Sequence, residues 1–216
     1  MKKCILLVAL FFFFKGQAFA LAPKTHYDLN ERISMNNLKM NSYLRDNLKM
    51  SLDDNFDGQS LLESIKSGGI TEDTDPIRYS RSFNHFHDPL SPNWILAGFN
   101  WVVPPVMNMP QYYVVTYNGR HYHNSSAVWA QKPSQSSLLG NYSWPDARQY
   151  FYYALTPESD YQRNYNSANT FRALGQLMHL VQDASVPAHV RNDFHAYPMY
   201  EDWLECRMNY KNWRLS

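Results

Sequence analysis

Between His26 and Met50 the apolar residues Leu29, Ile33, Met40, Leu44 and Leu48 recur at intervals of roughly four, with polar residues between them. That spacing predicts an amphipathic helix with His26 on its buried stripe. A short second helix is predicted from Ser60 to Lys66, with Gly68-Gly69 as its C-terminal stop because glycine readily takes the left-handed backbone of a helix cap. The acidic run Glu72-Asp73-Thr74-Asp75-Pro76 then reads as a loop. Residues 89–145 carry little periodicity and are rich in Pro, Asn, Tyr and Trp; a strand is predicted at Tyr112 to Tyr117, before Asn118-Gly119, within irregular structure or a small hairpin. Ser143-Trp144-Pro145-Asp146 has the form of a helix start, with Ser143 as N-cap and proline in the first turn, and Thr156-Pro157 stops that helix after Leu155. Another helix is predicted from about Ser167, carrying Phe171, Leu174, Leu177, Met178 and Val181 to Val186, before Pro187. A last one begins near Tyr200, with Trp203, Leu204 and Met208 as its buried stripe. No internal repeat is visible. The fold class is all-α, a single multi-helix domain with an irregular or small β-hairpin insertion near 95–140.

Residues 1–20 fall outside that domain. Lys2 and Lys3 precede the apolar run Ile5 to Phe14, and Ala18-Phe19-Ala20 has the small-x-small form of a signal-peptidase site. The run is too short to span a membrane. This assigns 1–20 to a signal peptide and 21–216 to the mature domain, beginning at Leu21 and secreted or periplasmic. Removing the leader changes two other quantities. Of 20 Lys plus Arg against 19 Asp plus Glu, Lys2, Lys3 and Lys15 are lost, leaving a nearly neutral chain without the basic surface of a duplex-DNA binder. Cys4 is lost as well, so Cys206 stands alone, with no internal disulfide and the character of a buried or incidental thiol. A metal cluster can act as the staple instead.

The candidate ligands lie on several segments. His179 and Asp183, four apart on a helix, project from one face about 6 Å apart along the axis and can share a metal. Pro187 turns the chain so that His189 returns to the same region. Upstream, Asn84-His85-Phe86-His87-Asp88-Pro89 supplies two imidazoles; in an extended segment alternate side chains point opposite ways, so only one of His85 and His87 reaches a common site. Taken singly, Glu72, Asp73 and Asp75 each read as part of a solvated acidic turn. His121-Tyr122-His123 reads as a surface loop pair.

Gly175 to His189, as G-x-x-x-H-x-x-x-D-x-x-x-P-x-H, together with His85-Phe86-His87-Asp88-Pro89, resembles the bacterial zinc-dependent phospholipase C family, whose fold is shared with the fungal single-strand-specific nucleases. The resemblance runs from His26 to Glu201. It implies an all-helical scaffold around a trinuclear zinc cluster, with one metal held by the amino group and carbonyl of the mature N-terminal residue, here Leu21, where relatives usually have Trp. His26 matches the family's N-terminal histidine, and Asp73 and His85 match its loop aspartate and the histidine of its His-Phe-x-Asp-Pro segment. His179 and Asp183 would bind the paired metals, Asp183 as the bridge, and His189 the third. The family's remaining ligands, a His and a Glu one helical turn apart, correspond to His195 and Glu201, which are six apart with Pro198 between.

By this resemblance the chain is a secreted zinc-dependent phosphoric diester hydrolase of the phospholipase C type. About three Zn2+ activate water, with Asp73 orienting or deprotonating it. The implied partner is a phospholipid or another phosphodiester, met through transient contact with a membrane surface, with no obligate protein partner. Two alternatives stay open: a single-strand nuclease of the same fold, with the aromatic residues as stacking platforms, and a non-catalytic binding module whose zinc is structural.

Overall fold

A computed structural model describes residues 21–74, 81, 84–90, 125–133, 142–191, 203, 204, 206 and 207, and the backbone of 100–101, 115–117 and 120–122. Helices dominate: α1 (Pro23–Asn36), α2 (Leu38–Tyr43) followed by a π-helical turn (Leu44–Leu48), α3 (Leu61–Thr71), α4 (Ser126–Trp129), α5 (Trp144–Leu155), α6 (Asp160–Asp183) and α7 (Pro187–Val190). Two small antiparallel sheets accompany them, a hairpin of β1 (Asn55–Phe56) with β2 (Gln59–Ser60) and a three-stranded sheet in the order β3 (Asn100–Trp101), β5 (Arg120–Tyr122), β4 (Val115–Tyr117). The predicted fold class holds, and of the strand expected at 112–117 residues 115–117 form β4, paired with β5, while 112–114 and Asn118-Gly119 lie outside the described residues. The leader, Asp75, His123, His195 and Glu201 lie outside the described residues. Among those residues no helix is long and apolar enough to cross a membrane.

Several boundaries differ from expectation, each for a local reason. The single helix expected over 26–50 is broken at Asn37, whose side chain accepts the Met40 backbone N–H at 3.0 Å and so caps α2. The π turn closes at Lys49, in left-handed backbone with φ 56°. α6 starts at Asp160, not near Ser167, because Ser159 caps it by accepting the Gln162 N–H; the polar first two turns give no apolar signal. It ends at Asp183, and Pro187 begins the short α7 instead of ending α6. The start at Ser143 is as expected and carries a reciprocal capping box with Asp146. In the last helix Leu204 packs beside Leu21 and Val186, whereas Trp203 is exposed and not part of a buried stripe. Cys206 is exposed, not buried.

The main core lies between the π turn, α3 and α6: Leu44, Leu61, Ile65 and Phe171, joined by Met40, Leu48, Met50, Leu52, Phe56, Leu174 and Met178. Gly68 and Gly69 are not a helix stop; α3 runs through both to Thr71. Their role is proximity. A Cβ on Gly68 would strike the Arg172 carbonyl oxygen, one on Gly175 the Ile65 carbonyl oxygen, and one on Gly69 would come within 2.7 Å of Asn30 Nδ2. Helices α1, α3 and α6 therefore approach backbone to backbone. Asn30, fully buried, stitches the junction by donating from Nδ2 to the carbonyls of Ile65 (3.0 Å) and Gly175 (3.2 Å). The buried face of α1 is consequently polar, consisting of Thr25, His26, Asn30 and Ser34, while Ile33, predicted to be buried, is 40% exposed.

Replacing Gly175 with alanine forces rigid backbone apart and is expected to destabilise the protein by about 3 kcal/mol. Gly58→Ala meets open space and strains only a left-handed backbone of φ 84°, costing roughly 1 kcal/mol. Urea denaturation of the two variants separates these effects.

Candidate metal centre

The glycine junction sets the first coordinate of the centre. With α3 pressed onto α6, the Gly69 carbonyl comes within 2.7 Å of His179 Nδ1, which donates to it. In the neutral ring the lone pair then sits on Nε2, pointing at Asp73 (3.7 Å) and Asp183 (3.2 Å). Asp183 lies one turn further along α6 on the same side, as the spacing predicts, and is fully buried.

His26 enters from α1, its ring stacked on that of His179 with centroids 3.6 Å apart. A chain of amides decides which of its nitrogens is bare. Backbone carbonyls can only accept, so Asn30 must point Nδ2 at Ile65 and Gly175, which leaves Asn30 Oδ1 to accept from Gln182 Nε2 at 2.8 Å. Gln182 Oε1 in turn accepts from His26 Nδ1 at 2.7 Å. His26 Nε2 is left facing Asp183 Oδ1 at 3.2 Å.

The segment 84–88 closes the other side. His87 donates its main-chain N–H to the His189 carbonyl, and His189 Nδ1 donates to the His85 carbonyl, so the two segments are laced together. Only one of the paired imidazoles reaches the cluster: His85 is buried with Nδ1 2.8 Å from Asp183 Oδ2 and 3.6 Å from Asp73 Oδ1, while His87 turns to Ser125 Oγ at 2.8 Å. The buried ring of His189 stacks on Phe86 and places Nδ1 3.8 Å from Asp183 Oδ2.

Among the described residues two sets of side chains reach metal-ligand spacing, His26 with His179 and Asp183, and Asp73 with His85 and His179; in each set the donor atoms lie within 4.8 Å of one another. The donor chemistry fits a metal. Both oxygens of Asp73, both oxygens of Asp183 and His26 Nε2 are buried without a hydrogen bond. Burying such groups unsatisfied costs several kcal/mol for a carboxylate, and a cation at their centre satisfies them together. Imidazole and carboxylate suit a borderline divalent ion.

The electrostatics of the bare cluster agree. Burial pushes the Asp73 carboxyl above its ordinary range despite His179, His85 and His26 nearby. At Asp183 burial acts in the same direction, but His179, His189 and His26 outweigh it and hold the carboxyl well below the usual value. Burial would lower His85, yet Asp183, Glu72 and Asp73 raise it to about 10; His179 is raised by Asp183 and Asp73 against its own burial.

Of the residues named from the sequence, the structure brings together His26, Asp73, His85, His179 and Asp183, with His189 at the edge. Leu21 is buried against Val186, close to the α7 segment that carries His189. His121 lies on β5. The solvated acidic turn is corrected: Glu72 is completely buried and Asp73 nearly so. Sequence reasoning missed Asn30, Gln182 and Glu72. Asn30 stands four residues after His26 on the same face and Gln182 directly before Asp183, placements that are informative only once their faces are known to be buried. No family model matches this chain, and no curated protein or solved structure matches it either.

The raised imidazole fixes a sign for the metal-free protein. A histidine whose folded pKa exceeds its unfolded value of 6.5 contributes stability that is complete below 6.5 and is lost as pH climbs through about 10. Chelator-stripped protein should lose on the order of 5 kcal/mol across that window, as read by denaturant titrations at successive pH values.

Proposed function

We propose that the chain is a zinc-dependent phosphodiester hydrolase of the phospholipase C type, active outside the cytoplasm after removal of residues 1–20. The observation that carries this reading is the buried cluster of His26, Asp73, His85, His179 and Asp183, drawn from four separate segments, with the oxygens of both carboxylates buried without hydrogen bonds. Its support from sequence is the resemblance of Gly175 to His189 and of His85 to Pro89.

In this reading His26, Asp73, His85, His179, Asp183 and His189 hold zinc, joined by His195, Glu201 and the amino group of Leu21, with three ions in all. Bound there, zinc supplies Lewis acidity towards water and neutralises charge on a phosphate. The protein supplies orientation and proton transfer. Asp73 has two oxygens without hydrogen bonds and a carboxyl pushed upward by burial, which suits it to orient a water molecule and take its proton. Asp183, held ionised by the surrounding imidazoles, contributes a fixed negative charge between His26 and His179. Gln182 and the Gly69 carbonyl keep those rings from rotating. The substrate is a phospholipid, with a single-stranded nucleic acid as the alternative of the same chemistry.

One observation favours a second reading. His26, His179, Asp183 and His189 have no exposed surface, as befits a structural metal saturated by protein ligands and a chain that acts as a binding module.

Zinc content of the mature protein should be about three per molecule. Asp183→Ala should lose zinc and destabilise the loaded protein by about 3–5 kcal/mol; unchanged zinc content in this variant would remove Asp183 from the site. Turnover of phosphatidylcholine, single-stranded DNA, RNA and a generic phosphodiester then separates the readings. Release of phosphocholine supports the phospholipase and release of nucleotides the nuclease, whereas full zinc occupancy without turnover supports the structural site.

A further inference from the structure

Glu72 is the one buried carboxylate beside the centre, among the described residues, to which no role has been assigned. Both of its oxygens are engaged. Oε2 accepts from Nε and Nη2 of Arg81, and Oε1 accepts from Trp129 Nε1 at 3.1 Å. Arg81 also donates to Gln176 Oε1 at 3.3 Å and lies over the Trp129 ring, while Gln176 donates to Thr71 Oγ1 at 3.0 Å. A carboxylate held by this many donors is poorly placed to bind an ion itself, and Arg81 cancels its charge so that it does not compete with Asp73 and Asp183 for one. Yet Glu72 Oε1 stands 3.6 Å from Nε2 of His85.

That contact sits on a particular side of the ring. His26 and His179 have Nδ1 tied away from the cluster, to Gln182 Oε1 and the Gly69 carbonyl, and His189 Nδ1, although 3.8 Å from Asp183 Oδ2, is taken up by the His85 carbonyl. His85 is turned the other way: Nδ1 faces Asp183, Asp73 and His179, and Nε2 faces Glu72. We propose that Glu72 is a positioning residue that retains the proton on His85 Nε2, so that His85 binds metal through Nδ1 while His26, His179 and His189 bind through Nε2. A carboxylate behind a ligating imidazole fixes the ring's orientation and makes it a better donor. Arg81, Trp129 and Gln176 are the frame that keeps this carboxylate in place.

The inference rests on the cluster being a metal centre, and one experiment separates the two. Protein carrying nitrogen-labelled histidine rings is loaded with the NMR-active isotope of cadmium, and nitrogen–cadmium couplings are read for each ring. The expected result is coupling at His85 Nδ1 with a proton retained on Nε2, and coupling at Nε2 for His26, His179 and His189. Coupling at His85 Nε2 would overturn the role of Glu72 and leave the metal centre standing; absence of any coupling would overturn the centre and this role together. In Glu72→Gln, which keeps the shape and loses the charge, cadmium affinity is expected to fall about 10- to 100-fold, with an upfield shift of the His85 Nε2 proton. Unchanged affinity together with an unchanged resonance would overturn the proposal. The coupling pattern of the wild-type protein decides the ring nitrogen even if the variant does not fold.

Discussion

The close crossing of α3 and α6 at Gly68 and Gly175 is the contact on which the rest is built. Without side chains at those two positions the helix backbones can nearly touch, and the apolar core of Leu61, Ile65 and Phe171 seals the crossing. Two results follow from that closeness. Gly69 presents its carbonyl to His179, and Ile65 and Gly175 present theirs to Asn30. Ordinary helix packing, with side chains interleaved at 8–10 Å between axes, would leave these carbonyls beyond reach of the polar side chains that read them. The glycine that opens the Gly175-to-His189 pattern is thus a geometric precondition for the histidine and aspartate that follow it.

The carbonyls in turn dictate chemistry at a distance. The orientation of Asn30 fixes that of Gln182, which fixes the bare nitrogen of His26. Backbone geometry therefore selects the tautomer of a candidate ligand through two intervening amides. The same principle, applied by carbonyls directly, orients His179 and His189. A cluster of this kind is organised from behind, by groups that do not face its interior.

What the sequence disclosed follows from this arrangement. Local regularities were readable: the cap at Ser143, the helical spacing of His179 and Asp183, and the alternation that lets His85 in and turns His87 out all depend on neighbours within a few residues. Features that depend on remote partners were not. Gly68-Gly69 resembles a helix stop until Gly175 is known to lie against it. Glu72 resembles a solvated acid until Arg81 and Trp129 are seen to enclose it. Ile33 fits the apolar period of α1, yet the face that is buried is the polar one, because that helix packs against a cluster of His and Asp side chains and a backbone junction instead of an oil-like core. Amphipathic periodicity assumes that the inside is apolar, and here it is not.

The ligands of the cluster are spread along the chain in a way that bears on its biosynthesis. His26 is near one end, while His179, Asp183 and His189 come more than a hundred residues later. During synthesis at roughly 5–20 residues per second, α1 waits on the order of ten seconds for the helix that completes its surroundings. Over that interval its polar face can meet only α3, and His26 lacks the His179, Asp183 and Gln182 partners that α6 supplies. Assembly of the His and Asp cluster is therefore a late event in the life of the chain, coupled to final docking of α6 and not to the first collapse of the core.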